Sequence, residues 1–266
     1  MISIPEIFSV CGFEFKRSLT LGRLLAFAVL SLFPPAMILL ISRVAPPTSF
    51  KMLIMFLTYV VCVLSLLLWA TPNVYAELES RNWLFVTSRP RGRVSLLLGK
   101  YLASAISAFL VCLIAISLSS LIIALSYGRY RPDTLGELAH FWPRLILIAG
   151  IGCFDYAAVF SFFGVLFQRR AMVMAVLYTL VVELLFAAVP ALITRFSIRY
   201  HLMGISYALL GWFAPGPEPD KELFELFYAN LPVWANVLIL ALIPVGVLSA
   251  AIYVIRNREY LTVDEV

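Results

Sequence analysis

Long apolar runs separated by short charged segments set the plan of this chain. Runs of 18 or more largely apolar residues recur. At about 1.5 Å per helical residue, each can cross a hydrocarbon core of about 30 Å. Six are read as spanning helices: about Leu24–Ile41, Met52–Ala70, Leu102–Tyr127, Leu145–Phe167, Ala171–Ile193 and Trp234–Ile255. Pro34-Pro35 falls inside the first, where neighbouring helices are expected to satisfy the carbonyls that proline frees. The third carries Ser104, Ala105, Ser107, Ala108, Ser117, Ser119 and Ser120. Small residues let backbones approach closely, which predicts a helix buried in a bundle. Ahead of the spans, residues 1–20 repeat with helical period. Ile4, Ile7, Phe8, Cys11, Phe15 and Leu19 share one face, while Glu6, Ser9, Lys16 and Arg17 point elsewhere. That pattern predicts a helix lying in the membrane interface. With Glu6 and Glu14 before the first run and no small-residue cleavage site after it, that run is expected to be a retained anchor.

Composition agrees. The chain is 62% hydrophobic and 13% charged, with a mean hydropathy of +0.97, far from a soluble domain. The expected class is an all-α integral membrane protein with one membrane domain over residues 1–266, because nothing outside the apolar runs is long enough for a soluble one. With the N-terminus inside, twelve of the 20 Lys and Arg fall in inner segments. This predicts a multi-pass protein of the cell (cytoplasmic or inner) membrane with both termini cytoplasmic. The net charge of +5 is thereby topological, and no nucleic-acid partner is expected. The outer segment, residues 194–233, is too long for a simple connection. Its apolar stretch Tyr200 to Trp212, its Pro215-Gly216-Pro217 turn and its interleaved acids fit half-inserted or interfacial helices.

Motifs for covalent chemistry are missing. A phosphate-binding loop needs Gly-x-x-x-x-Gly-Lys-Ser/Thr. At Gly99-Lys100, Val94 replaces the first glycine and Tyr101 the hydroxyl residue. There is no His-Glu-x-x-His and no Gly-x-Ser-x-Gly elbow, and His140 and His201 fall in outer loops. An intramembrane hydrolase therefore lacks a nucleophile or metal set, and the chain is expected not to be an enzyme. Cys11, Cys62, Cys112 and Cys153 lie in apolar surroundings without metal-ligand spacing. They read as small buried hydrophobes, with no metal site.

Two intramembrane acids stand out. Asp155 lies mid-way along the fourth predicted span and Glu183 mid-way along the fifth. A charge at the bilayer centre costs roughly 2.5–3.5 kcal/mol on insertion scales, so both should face protein or water. The short Gln168-Arg169-Arg170 connection makes the two helices antiparallel neighbours and brings the acids to similar depth. If they face each other, one should stay protonated. Three roles are open: a helix–helix or subunit hydrogen bond, a lining of a substrate path, or a proton relay.

The most polar interruption is residues 77–100. Glu77 and Glu79 lead, then the apolar patch Trp83, Leu84, Phe85 and Val86, then Arg89-Pro90 and Arg93, then Leu97-Leu98-Gly99-Lys100. An aromatic–aliphatic anchor framed by charges is the makeup of a small interface hot spot. In this order the residues resemble the cytoplasmic loop between the second and third helices of ABC-2 type permeases, the membrane subunits of ABC exporters. Arg81-Asn82 depart from that family's usual Gly-Thr, although Asn82 can still cap a short helix. The stretch Phe163 to Arg170, continuing through Tyr178 to Glu183, is similar to the family's fourth-to-fifth helix junction. The resemblance implies six spans, an interfacial N-terminal helix and a cytoplasmic coupling helix between helices two and three. It also implies a homo- or heterodimeric permease in membrane lipid, docked on a separate ABC ATPase subunit. Cofactors would then be absent from this chain, with ATP and Mg on the partner. The competing expectation is a proton-coupled secondary transporter using Asp155 and Glu183.

Overall fold

The computed structural model describes residues 4–18, 20–41, 49–72, 92–127, 133–167, 170–185, 192–210 and 231–258. Among them every element is helical. In chain order these are α1 (Ile4–Arg17), α2 (Leu21–Ile41), α3 (Ser49–Trp69), α4 (Gly92–Tyr127), α5 (Asp133–Phe167), α6 (Ala171–Tyr178), α7 (Ile198–Leu210) and α8 (Val233–Asn257). A π-helical segment, Thr179–Leu185, continues α6, and a 3-10 turn, Leu192–Phe196, leads into α7. Among the described residues four helices are long and apolar enough to cross a membrane: Leu21–Ile41, Gly92–Ser126, Leu138–Phe167 and Val233–Asn257. Leu53–Trp69 and Ala171–Leu185 are shorter apolar helices. The chain is an all-helical membrane protein.

Several boundaries differ from the hydropathy reading, each for a physical reason. α4 begins at Gly92, ten residues before the apolar run, because the charges in its first turns are partnered: Arg93 and Lys100 both reach other helices. The last nine residues of the 77–100 segment are therefore helix. α5 begins at Asp133 and runs through Pro143, whose missing N–H forfeits one helical hydrogen bond without ending the helix. The fifth span stays α-helical only to Tyr178 before passing into the π segment. Pro34 and Pro35 lie inside an unbroken α2, both buried, as the sequence suggests.

α4 and α5 form the centre. α4 packs on α1, α2, α3, α5 and α8, and α5 on α3, α4, α6, α7 and α8. Ala105, Ala108 and Ser119 are fully buried, so the small-residue stripe of α4 does what its composition predicts. In the most apolar window of each spanning helix, 67% of α5 is buried but only 22% of α2 and 17% of α8. The outer helices turn Leu24, Leu25, Val29, Leu39 and Leu40, and Trp234, Leu238, Leu242 and Val245, outward. Such apolar faces suit lipid.

α1 packs on α4. Of its apolar face, Ile7 and Cys11 are buried, while Phe8 and Phe15 are exposed. The helix is turned so that its acids meet α4. Lys100 Nζ lies 3.5 Å from a Glu14 carboxylate oxygen, and the Ser95 hydroxyl donates to Glu6 at 3.1 Å. Gly99 makes the approach possible. A Cβ there would stand 2.6 Å from Val10 Cγ1 and 3.0 Å from the Ile7 carbonyl oxygen. Gly99→Ala is expected to destabilise by about 1–3 kcal/mol through overpacking, with faster hydrogen exchange in α1. Gly12→Ala, with nothing within 4 Å of the new methyl, should instead stabilise by up to about 1 kcal/mol. Thermal unfolding in detergent checks the opposite signs.

Candidate functional site

A helix that begins inside a packed bundle must have its first backbone amides met by something other than water. α7 is such a helix, and its start is fully accounted for. Ser197 N–H donates to the Thr194 carbonyl at 3.0 Å. Ile198 and Arg199 N–H donate to Glu183 Oε1 and Oε2 at 3.1 and 3.0 Å. Tyr200 N–H donates to the Ser197 hydroxyl at 3.1 Å, so Ser197 is the N-cap residue. Glu183 thus closes the N-terminus of α7 from another helix, where the helix dipole also favours a carboxylate.

The same carboxylate takes two phenols. Tyr156 of α5 donates to Oε2 at 2.8 Å and Tyr178 to Oε1 at 2.9 Å. Each oxygen thus accepts one tyrosine hydroxyl and one backbone amide, and the residue is completely buried. Tyr178 precedes Glu183 by five residues, a spacing that turns side chains apart in an α-helix. The i→i+5 winding of Thr179–Leu185 brings them together. Arg199 approaches the Glu183 main-chain carbonyl at 3.5 Å and sits over the Tyr59 ring, 5.3 Å from its centroid. One carboxylate therefore joins α5, α6 and α7, with α3 brought in through Tyr59. A cavity of about 50 Å³ opens beside this junction, lined by Thr58, Tyr59, Cys62, Tyr156, Arg199 and Met203 among others.

Asp155 is nearly as buried, at 2% exposure, yet its Oδ2 has no hydrogen-bond partner. It is Tyr156 rather than its neighbour Asp155 that reaches Glu183. Glu183 thus makes helix–helix hydrogen bonds, and Asp155 is not among its partners.

A second gathering lies at one end of the bundle. Arg93, at the start of α4, donates to the carbonyls of Ile255 and Arg258 at 3.4 Å each, and Arg258 donates to Leu166 at the end of α5. Gly164 touches the carbonyl of Thr71, just past α3; a Cβ there would be 2.9 Å away. With α1 docked on Ser95 and Lys100, this end collects α1, the flanks of the α3–α4 connection, the end of α5 and the close of α8. Arg93, Lys100 and Arg258 belong to it, and Arg17 and Arg23 line a pocket there with Glu14 and Lys100. Of the expected coupling residues only Arg93 is described; Glu77, Glu79, Trp83, Leu84, Phe85, Val86, Arg89 and Pro90 lie outside the described residues.

Comparison with known proteins adds no kinship. The sequence matches no family model and no curated protein.

Sequence reasoning missed the partners rather than the acid. Tyr156 and Tyr178 flank the two carboxylates in sequence, and Ser197 begins a Ser-x-x capping pattern, but only the fold shows that they meet. His201, expected to be a packed or solvated loop side chain, is buried. Its Nε2 donates to the Arg195 carbonyl at 2.8 Å, and its Nδ1 lies 2.8 Å from the Asn236 side chain of α8. Cys62, Cys112 and Cys153 come from three different helices and converge.

Glu183→Gln puts an NH2 where an acceptor is needed, and either placement strands one α7 amide. The expected cost is about 1–3 kcal/mol. Tyr156→Phe removes only a donor and should cost less, about 1 kcal/mol. Thermal unfolding in micelles ranks the two; a reversed order would contradict the socket.

Proposed function

We propose that the chain is the transmembrane permease subunit of an ABC-2 type transporter, an exporter driven by ATP that a separate subunit hydrolyses. In this proposal α3 and α6 with its π continuation complete six spans, and both termini are cytoplasmic. The 77–100 connection docks on the ATPase through Trp83, Leu84, Phe85 and Val86, oriented by Glu77, Glu79, Arg89 and Arg93. The observation that carries it is the sequence of that connection: an aromatic–aliphatic anchor framed by acids and arginines, running into Leu97-Leu98-Gly99-Lys100. The fold supplies supporting context. The two flanks of the connection meet α1, the end of α5 and the end of α8 at a single arginine-rich end. In this reading a push from a cytoplasmic partner at that end would reach α3 and α4 directly.

ATP-driven closure of the partner subunits would tilt α3 and α4 and switch access to a path between two permease copies. The chain itself performs no covalent step, and ATP and Mg belong to the partner. A proton relay through Glu183 has less support, since both of its oxygens are already occupied by two donors each.

Affinity purification of the full chain from its native membrane is expected to bring down an ATP-binding-cassette subunit. The double variant Trp83→Ala with Phe85→Ala should weaken that association at least tenfold, the effect of removing a hot spot of about 2 kcal/mol or more. Recovery without an ATPase, or unchanged association of the folded double variant, would sink the proposal.

A further inference from the structure

Three of the four cysteines converge in the middle of the bundle. Cys62 comes from α3, Cys112 from α4 and Cys153 from α5, separated in sequence by 50 and 41 residues. The sulfurs of Cys62 and Cys153 are 3.4 Å apart and those of Cys153 and Cys112 are 3.9 Å apart; all three lie within 4.8 Å of one another. All three are free thiols, and none is more than 4% exposed. Burial alone is ordinary for cysteine. Convergence of three from three helices is a geometric property of a different kind.

The triangle has the size that a coordinated ion needs. An ion about 2.3 Å from each of three sulfurs, a usual metal–thiolate length, sits within a triangle whose edges are about 4 Å. The donors are all soft and no oxygen ligand joins them, which selects thiophilic ions over magnesium or calcium. One corner is accessible, because Cys62 also lines the cavity of about 50 Å³ between α3, α5 and α7.

Charge narrows the class further. The site lies within the buried apolar cluster that includes Val61, Leu66, Ala108, Val111 and Ala157. In such a medium net charge without a counter-ion is strongly disfavoured. Three thiolates with a monovalent ion carry −2 and with a divalent ion −1, whereas with a trivalent ion they are neutral. We propose that Cys62, Cys112 and Cys153 form a binding site for a trivalent thiophilic ion of the arsenite and antimonite class, held as a neutral tris(thiolate). The exchange balances without any redox step. As(OH)3 and three thiols give As(S-Cys)3 and three waters; three As–O and three S–H bonds break, three As–S bonds form, and each thiol proton leaves in a water. Arsenic stays trivalent. An ion bound there would tie α3, α4 and α5 together. The site rests on the sulfur geometry and does not depend on the transport reading.

The test uses the full chain in detergent, kept reduced with a phosphine, and sodium arsenite as probe. After removal of unbound arsenite, one arsenic per chain is expected, with three sulfur neighbours in its X-ray absorption spectrum. Cys112→Ala leaves the Cys62–Cys153 pair intact and should weaken retention at least tenfold, while Cys11→Ser, outside the cluster, should leave it unchanged. No retained arsenic, an average of two or fewer sulfur neighbours, or undiminished retention by folded Cys112→Ala would overturn the site. Cadmium held by three sulfurs at higher affinity than arsenite would overturn the charge argument that assigns a trivalent ion. If Cys112→Ala does not fold, the sulfur count on the wild-type chain decides alone.

Discussion

A helix that begins inside an apolar bundle presents amide groups that water cannot reach, and here one carboxylate resolves that problem. Glu183 takes the Ile198 and Arg199 amides and the Tyr156 and Tyr178 hydroxyls. Without it the start of α7 would be a buried, unsatisfied helix terminus, and each orphaned amide would cost about 1–3 kcal/mol. The placement of α7 against α5 follows from this junction, while His201 ties α7 to Asn236 of α8. The local winding serves the same junction: the π segment places Tyr178 beside the acid five residues after it. A charged residue in the middle of an apolar run thus has a structural role that does not need a transported ion.

The arginine-rich end uses the same physics in a wetter setting. Its cations are satisfied by helix-end carbonyls, Arg93 by those of Ile255 and Arg258 and Arg258 by that of Leu166, where the dipole of a helix C-terminus favours positive charge. Lys100 is met by Glu14, and Gly99 lets α1 come close enough for the pair to form. The Gly-Lys pair that looks in sequence like the opening of a transmembrane helix is also the seat of the N-terminal helix.

Much of this was legible beforehand and the remainder was not, for identifiable reasons. Apolar length finds α2, α4, α5 and α8 because a long run has few alternatives to spanning. Small residues mark α4 as central because only close packing rewards them. The docking of α1 was hidden: its amphipathic pattern predicts an interfacial helix, but the partners of Glu14 and Glu6 on α4 lie far away in sequence. Glu183 was visible as an anomaly, yet its four donors come from Tyr156, Tyr178, Ile198 and Arg199, and no local pattern links residue 183 to residues 198 and 199. The cysteines carried a faint signal. Each lies near the middle of its helix, so all three share a depth, but depth says nothing of which faces meet.

These junctions also indicate where movement can occur. α5 is tied to α3 by the tight Gly164–Thr71 contact and by the packing of Cys153 on Cys62, to α4 by Cys112, and to α6 and α7 through Tyr156 and Glu183. Helices joined by close-packed, hydrogen-bonded contacts respond to force as a unit, because packed interiors are bistable rather than continuously deformable. Force applied to the segment between α3 and α4 therefore enters a block of five helices, α3 to α7. The outer helices α2 and α8 bury far less of themselves, and their apolar faces are open. Relative motion is cheapest across those faces, against lipid or a second copy of the chain, and most costly through the block. In the proposed transporter, a path that opens and closes under such a force would therefore run between protomers, not through the centre of one.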